Sequence, residues 1–274
     1  MSSASWVDVG HLATSAVLVF MAVPSAMTVG ALAAVAPDTR LREDLARVSS
    51  RRVLFGHQSV GAGVVAGLER LSAGAGATLR IVELPGALAA GTFGHAFVGR
   101  NGEPLRKLAG FEQLLAEQAA HAPDIALLKF CYVDLHDGTD VAALFSAYQA
   151  TFRDLERRYP HTTFVHVTVP LTTVQAGVKG AVKSLLGRAP SGFLENARRE
   201  EFNALLRGAY RDRALFDLAR LEATSPDGRT ITSTWRGRTV LALDPSSTRD
   251  GMHPAPEASE RIARALVAQL AALP

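Results

Sequence analysis

Two short segments, far apart in the chain, contain side chains that could act together in hydrolysis. The first, Gly-His-Gln-Ser-Val-Gly, contains Ser59, and the second, Asp-Gly-Met-His, contains Asp250 and His253. A serine hydroxyl needs an imidazole to accept its proton at neutral pH, and a carboxylate on the other ring nitrogen orients that imidazole. If the two segments meet, they supply a nucleophile, a general base and an orienting acid, which predicts a hydrolase.

Each segment also allows a simpler interpretation. Ser59 follows a predicted strand and precedes a predicted helix, where free backbone N–H groups and the helix dipole would stabilise an oxyanion. Serine in that position is also a common helix N-cap. Asp250 could equally form only an Asx turn, with His253 exposed on the same loop. Taken alone, the two segments leave both interpretations open.

Short apolar runs alternate with helical patterns along the rest of the chain. The runs are bounded by Pro, Gly or Asp, as expected of strands covered on both faces. They predict strands over 52–56, 78–84, 125–131, 163–169 and 215–219. Helical periodicity covers 60–71, 104–120, 140–159, 194–210 and 257–270, and residues 230–243 predict an inserted β-hairpin. This order predicts an α/β fold on a mostly parallel sheet, with functional groups at the carboxyl ends of the strands.

The N-terminal segment is set apart from this fold by its composition. Residues 12–36 carry no charge, and a run of this length matches the roughly 20 apolar residues that cross a bilayer. We therefore expect a signal peptide or membrane anchor over 1–37 and one domain over 38–274, on the extracytoplasmic side. An uncleaved anchor followed by the arginines of residues 40–52 would instead place the domain in the cytoplasm by the positive-inside rule.

Charge and cysteine content narrow the possible functions. The chain has 29 basic and 26 acidic residues, scattered without a basic block, so we expect no nucleic acid partner. The only cysteine, Cys131, lies in an apolar run and is expected in the core, without a disulfide. We expect no cofactor and no metal, because the histidines lack ligand spacing. A rival hypothesis joins His57, Asp250 and His253 in a metal-dependent hydrolase.

Five motifs in order resemble the SGNH/GDSL hydrolase superfamily, in particular a divergent bacterial branch with a Gly-His-x-Ser-Val-Gly nucleophile motif. They are residues 55–61, 98–104, 128–134, 216–219 and 250–253. The resemblance covers about residues 50–272 and implies a flavodoxin-like three-layer α/β/α sandwich. It also implies a serine esterase in which Ser59 is the nucleophile, His253 the general base and Asp250 the orienting acid.

The resemblance further implies an oxyanion hole, and here the chain departs from the superfamily pattern. The superfamily combines the N–H of the serine, a glycine N–H from the second motif and an asparagine side chain from the third. The third motif of this chain has no asparagine. We therefore expect Asn101 of the second motif to donate instead, with Gly99 or Gly102 supplying the backbone N–H. Tyr132 could donate from its hydroxyl, and Asp134 could position either the loop or a substrate hydroxyl. His57 could line the site, but packing or anchoring of the third-motif loop is the favoured interpretation.

The substrate is left open by the sequence. The partner is expected to be a small-molecule, glycan or lipid ester, and the uncharged residues 12–36 would provide membrane attachment. Residues 171–192, with Lys179, Lys183 and Arg188 among glycines and apolar residues, fit either a mobile flap that favours acidic or lipid-surface substrates or a solvated basic loop. The alternative function is a weak or inactive domain of the same fold that binds a glycan or a protein.

Overall fold

The computed structural model describes residues 39–274, so the predicted signal or anchor lies outside the described residues. Six parallel strands form one sheet in the order β2-β3-β1-β4-β5-β6. The strands are β1 (Val53–His57), β2 (Arg80–Glu83), β3 (Thr92–Phe97), β4 (Ile125–Leu128), β5 (Thr163–Val167) and β6 (Leu215–Phe216). A separate antiparallel hairpin joins β7 (Thr232–Trp235) and β8 (Arg238–Leu241).

Eight α-helices cover the two faces of the sheet or connect its strands within the described range. They are α1 (Thr39–Val48), α2 (Ser59–Ala75), α3 (Pro104–Glu117), α4 (Val141–Arg158), α5 (Gly177–Leu185), α6 (Phe193–Ala209), α7 (Leu218–Glu222) and α8 (Pro256–Ala271). None of the helices between residues 39 and 274 is long and apolar enough to cross a membrane.

The central strand shows why these runs form a three-layer fold. All five residues of β1 are buried, and successive side chains of a strand point to opposite faces. Val53 and Phe55 pack in the core beneath α1, α2 and α8, whereas Leu54 packs in the core beneath α3, α4 and α6. Both faces of the strand are therefore apolar, and the predicted α/β/α sandwich with a hairpin insertion is confirmed.

The differences from prediction concern strands and helices with weak patterns. Strand β3 was not predicted, because Gly94 and His95 interrupt its apolar run; nevertheless five of its six residues are buried, and it lies between β1 and β2. Helices α1, α5 and α7 were not predicted either. Strand β1 has the predicted length and begins one residue later, whereas the other four predicted strands are shorter than expected. Strand β4 ends at Leu128.

Two asparagines of α6 fix the loop that follows β5. The Asn203 side chain accepts a hydrogen bond from the N–H of Val169 at 2.7 Å and donates to the carbonyl of Val169 at 3.0 Å. Two turns earlier, Asn196 makes the same pair of bonds with the backbone of Thr172. Both asparagines are fully buried. Because a buried backbone group must be paired, these side chains substitute for the strand partners that the loop has lost.

We predict that Asn203→Leu lowers the free energy of unfolding by about 2–4 kcal/mol, because it leaves a buried N–H and a buried C=O unpaired. Urea denaturation followed by circular dichroism measures this change. Leu205→Asn, at an exposed position of the same helix, is the control and should change stability by less than about 0.5 kcal/mol. Equal stabilities of the Asn203 variant and the parent would contradict this account of the loop.

Candidate active site

The structure brings the serine, histidine and aspartate of the two distant segments into one hydrogen-bonded chain. Nε2 of His253 lies 3.0 Å from Oγ of Ser59, and Nδ1 of His253 lies 2.7 Å from Oδ2 of Asp250. The Ser59–His253 bond joins positions 194 residues apart. Since an ionised carboxylate only accepts hydrogen bonds, Asp250 fixes the imidazole tautomer that carries its proton on Nδ1 and turns the free Nε2 toward the serine.

Asp250 is held by its own loop as well as by the imidazole. Its Oδ1 accepts the backbone N–H groups of Met252 and His253, each at 2.8 Å. The hydrogen bond from the His253 ring, and then the one from the His253 backbone, keep the pKa of the Asp250 carboxyl well below its usual range. About half of each side chain remains exposed in the Asp250–His253 pair. Both the solvent exposure and these hydrogen bonds favour the ionised form of the aspartate.

Ser59 is the first residue of α2, directly beyond the carboxyl end of β1. Gln58 occupies the N-cap position, and the serine hydroxyl is bonded to His253, so the simple capping interpretation of Ser59 does not hold. Gly61 allows the helix to start this close to the strand. A Cβ on Gly61 would lie 2.4 Å from Cβ of His57, a contact that no side chain tolerates.

The second motif lies beside Ser59 because β3 pairs with β1. His57 pairs with Phe97 in the sheet, and the N–H of Val98 donates to the carbonyl of His57 at 3.1 Å. The Gln58 side chain extends this contact by donating to the carbonyl of Val98 at 3.0 Å. Gly99 follows with a φ of +60°, and a Cβ there would lie 2.7 Å from the backbone of α3. This position therefore requires glycine.

A buried ion pair joins the second and third motifs. Nζ of Lys107 donates to both carboxylate oxygens of Asp134, at 2.8 and 2.6 Å, and to Oδ1 of Asn101 at 2.9 Å. Neither charged side chain is exposed. An ammonium group has no acceptor, so Asn101 must present its oxygen to Lys107 and turn its NH₂ group away. This orientation leaves the NH₂ group of Asn101 on an exposed residue of the loop that follows β3, turned away from Lys107.

The structure selects among the alternatives that the sequence left open for Gly102, Asp134 and His57. The N–H of Gly102 donates to Oδ1 of Asp134 at 2.9 Å, so it is not free for an oxyanion. Asp134 also accepts the N–H of Cys131 and is buried, which makes it an anchor for the loops and not a contact for a substrate. His57 is fully buried, with Nε2 3.0 Å from Nδ1 of His95, and packs beneath the site without lining it.

Tyr132 packs against His253, and Arg199 in turn holds the backbone of Tyr132. The Tyr132 ring meets the His253 ring edge to face, with centroids 5.6 Å apart. Burial raises the pKa of the Tyr132 hydroxyl. Arg199, buried in α6, donates to the carbonyl of Tyr132 at 2.9 Å and to Oγ1 of Thr172 at 2.8 Å. It thereby connects the loops that follow β4 and β5.

The sequence analysis did not identify Gln58, Lys107 or Arg199. Lys107 had a detectable signal, because it lies on the same helical stripe as Phe111 and Leu114, which are buried. A charged residue at such a position is buried only with a partner. Nothing in the sequence pattern distinguishes Gln58 from an ordinary turn residue, or Arg199 from the other arginines of α6.

The rival metal site finds no support in the geometry. Within residues 39–274, no three histidine, cysteine or carboxylate side chains are grouped closely enough to hold a metal ion. His57 is paired with His95 and with the carbonyl of Gln58, whereas Asp250 and His253 bond to each other and to Ser59. The three residues of the rival hypothesis therefore do not form a ligand set.

Comparison with known proteins yields similar solved structures. Neither a protein-family model nor a curated protein matches the sequence. TesA has 15% identity, with 80% of this chain and 97% of that chain covered and a TM-score of 0.47. A carbohydrate esterase of family 3 from Talaromyces cellulolyticus has 14% identity, with 80% and 95% covered and a TM-score of 0.45. A protein assigned to the G-D-S-L lipolytic family from Desulfitobacterium hafniense DCB-2 has 11% identity, with 79% and 98% covered and a TM-score of 0.44.

All three structures have identities of 15% or less and TM-scores below 0.5, so the similarity assigns neither a family nor an activity to this chain. At such identities the chemistry of this chain has to be derived from its own side chains.

We predict that the buried His57 makes the fold sensitive to acid. The pKa of His57 is lowered from 6.5 to about 4, mainly by burial; the hydrogen bond with the carbonyl of Gln58 opposes this shift, and the neighbouring His95 and Lys129 contribute to it. Between pH 6.5 and about pH 4, His57 is less protonated in the folded protein than in the unfolded chain. The free energy of unfolding therefore falls as the pH is lowered through this range. The full effect is roughly 3 kcal/mol at 1.36 kcal/mol per pKa unit.

Urea denaturation across this pH range measures the effect. His57→Gln should flatten the dependence of stability on pH, whereas His161→Gln, at an exposed position, should leave it unchanged. An unaltered pH dependence in the His57 variant would show that the acid sensitivity has another source.

Proposed function

We propose that this chain is a serine ester hydrolase in which Ser59 attacks the acyl carbon. The observation that carries the proposal is the continuous chain of hydrogen bonds from Ser59 through His253 to Asp250, at 3.0 and 2.7 Å. A serine that served only to cap a helix would not need a histidine held in one tautomer by a carboxylate. The arrangement supports nucleophilic catalysis in particular.

The first half of the proposed reaction forms an acyl-enzyme. Nε2 of His253 takes the proton from Oγ of Ser59 as the oxygen attacks the carbonyl carbon of the ester, and the carbonyl oxygen becomes an oxyanion. Asp250 stabilises the imidazolium that results. His253 then returns the proton to the leaving alcohol, and the acyl group stays on Ser59.

The second half uses the same groups on water. His253 removes a proton from a water molecule, the water oxygen attacks the acyl carbon, and a second oxyanion forms. When this intermediate collapses, the proton on His253 returns to Oγ of Ser59 and the carboxylic acid leaves. The half-exposed His253 lies within reach of bulk water for this step.

The oxyanion would be stabilised by groups that the two neighbouring loops present to Ser59. The backbone N–H of Ser59 belongs to the first turn of α2, where N–H groups have no partner within the helix. Gly99 follows the register of β3 to a place beside Ser59, and Asn101 has its NH₂ group turned away from Lys107. We assign the three donors to Ser59, Gly99 and Asn101.

The proposed substrate is an ester of a small molecule, a glycan or a lipid, which the enzyme would meet outside the cytoplasm. The half-exposed Asp250 and His253 lie on an open surface, which suits an ester whose larger part remains in solvent or in an extended polymer.

We predict that a fluorophosphonate probe labels the purified full chain at Ser59 and that Ser59→Ala and His253→Ala abolish this labelling. Asp250→Asn should lower kcat on p-nitrophenyl acetate by roughly 10³-fold, because the imidazole loses its fixed tautomer. Ser184→Ala and His136→Ala, at exposed positions outside the site, are matched controls and should react like the parent.

The same experiment separates the enzyme from a binding domain of this fold. The missing asparagine in the third motif favours the alternative, in which the surface around Ser59 binds a glycan or a protein without turnover. Folded protein that neither reacts with the probe nor hydrolyses the acetate would support that alternative and overturn the proposed enzyme.

We predict that Asn101→Ala lowers kcat about 10²–10³-fold with little change in KM, because an oxyanion donor acts only when the charge has formed. The variant also removes one acceptor from the buried Lys107 ammonium, which should lower the free energy of unfolding by about 1–3 kcal/mol, while Asp134 remains the partner of Lys107. The kinetics are therefore measured well below the melting temperature of the variant. Steady-state kinetics on p-nitrophenyl acetate measures the two constants. Wild-type kcat in this variant would remove Asn101 from the oxyanion hole.

A further inference from the structure

Helix α5 presents an apolar stripe to solvent. Its exposed large side chains are Val178 at 81%, Val182 at 50%, Leu185 at 88% and the adjoining Leu186 at 68%. Spacings of four, seven and eight residues place them on one side of the helix. An amphipathic helix normally turns such a stripe toward the core, but here only Gly180 of the nine-residue helix is buried. The stripe is therefore available to something outside the domain.

Positively charged side chains lie near this stripe, and none of them forms an ion pair with a carboxylate in the described residues. The segment from residue 171 to 194 contains no Asp or Glu. None of the ion pairs described for residues 39–274 involves the positive side chains of α5, its C-terminal exit or the hairpin tip. These side chains are Lys179, Lys183, Arg188, Arg236 and Arg238.

The tip of the β7–β8 hairpin belongs to the same surface. Nη2 of Arg236 donates to the carbonyl of Gly187 at 3.2 Å, at the end of α5. The Arg236 guanidinium also lies over the Trp235 ring, 4.7 Å from its centroid. Trp235 is partly exposed and packs edge to face on Phe193. We call the surface formed by α5, Leu186, Arg188 and residues 235–238 the α5 patch.

We propose that the α5 patch binds an anionic lipid surface. Valine and leucine side chains would enter the boundary between headgroups and acyl chains, while the lysines and arginines contact the phosphates. Tryptophan, like tyrosine, is enriched at this interface. A protein partner would have to supply both an apolar groove and several carboxylates in one place, whereas an anionic bilayer supplies both over its whole area.

The α5 patch lies on the chain next to the proposed active site. The segment that leads from β5 into α5 is tied to the His253 loop, because the N–H of Thr173 donates to the carbonyl of Gly251 at 2.9 Å. Adsorption through α5 therefore holds the candidate active site close to the lipid surface. The binding itself does not depend on ester hydrolysis and is expected to persist in Ser59→Ala.

An environment-sensitive label on α5 tests the proposal in the full chain. Leu185→Cys is labelled with the fluorophore NBD, and Leu105→Cys, at an exposed leucine of α3, serves as the matched control. The single native cysteine, Cys131, is buried and should not react. The labelled proteins are mixed with phosphatidylcholine vesicles that contain or lack phosphatidylglycerol. We expect increased and blue-shifted emission only for the label on α5 and only with phosphatidylglycerol.

Charge variants in the labelled protein test the role of the cations. Lys179→Gln, Lys183→Gln and Arg188→Gln together should weaken the apparent binding to the anionic vesicles roughly a hundredfold, from about fivefold per cation near such a surface. Arg80→Gln, Arg157→Gln and Arg211→Gln remove the same charge from exposed positions and should have little effect. These arginines lie at or before the amino ends of β2, β5 and β6, whereas α5 follows the carboxyl end of β5.

Three results would overturn the proposal. The Leu185 label could fail to respond to anionic vesicles, or it could respond equally to phosphatidylcholine alone. It could also report an apolar environment before vesicles are added, which would mean that protein, either a second copy or another part of the chain, already covers the α5 patch.

Discussion

The buried ion pair between Lys107 and Asp134 is the interaction on which the arrangement of the site depends. Two charges without solvent exposure are tolerated only when hydrogen bonds satisfy them. Here the carboxylate also accepts backbone N–H groups of Gly102 and Cys131, and the ammonium also holds Asn101. The same bonds that neutralise the ions fix the loops after β3 and β4 on either side of Ser59.

The other side of the site is organised by α6. Arg199 reaches the loop after β4, and Asn196 and Asn203 pair with the backbone of the loop after β5. That second loop in turn contacts the segment carrying Asp250 and His253, through Thr173 and Gly251. In a parallel sheet these loops share one edge. Buried polar side chains on the flanking helices thus set the distances between groups that are far apart in sequence.

Sequence patterns predicted the strongest features of this fold. The apolar run of β1 and the periodicity of α4 follow from burial, and the predicted start of α4 agrees with the structure, in which Asp140 caps the helix by accepting the N–H of Ala143 at 3.0 Å. The apolar pattern did not predict β3, because this strand has no continuous apolar run. Gly94 interrupts the run, and its missing side chain leaves the space that Leu88 occupies. It also failed at α5, because its apolar residues face solvent and not the core.

The sequence by itself determined which side chains can do chemistry: Ser59, Asp250 and His253 are a nucleophile, an acid and a base whatever the fold, and the α/β order follows from local periodicity. Only the tertiary structure decided how these groups meet and which neighbours take part. For Gly102, Asp134 and His57 the sequence left both a place in the site and a structural role open, and the structure engages their polar groups inside the protein. The physical reason is that burial and hydrogen bonding are properties of contacts between distant segments, and local patterns contain no information about which buried partner a polar group will find.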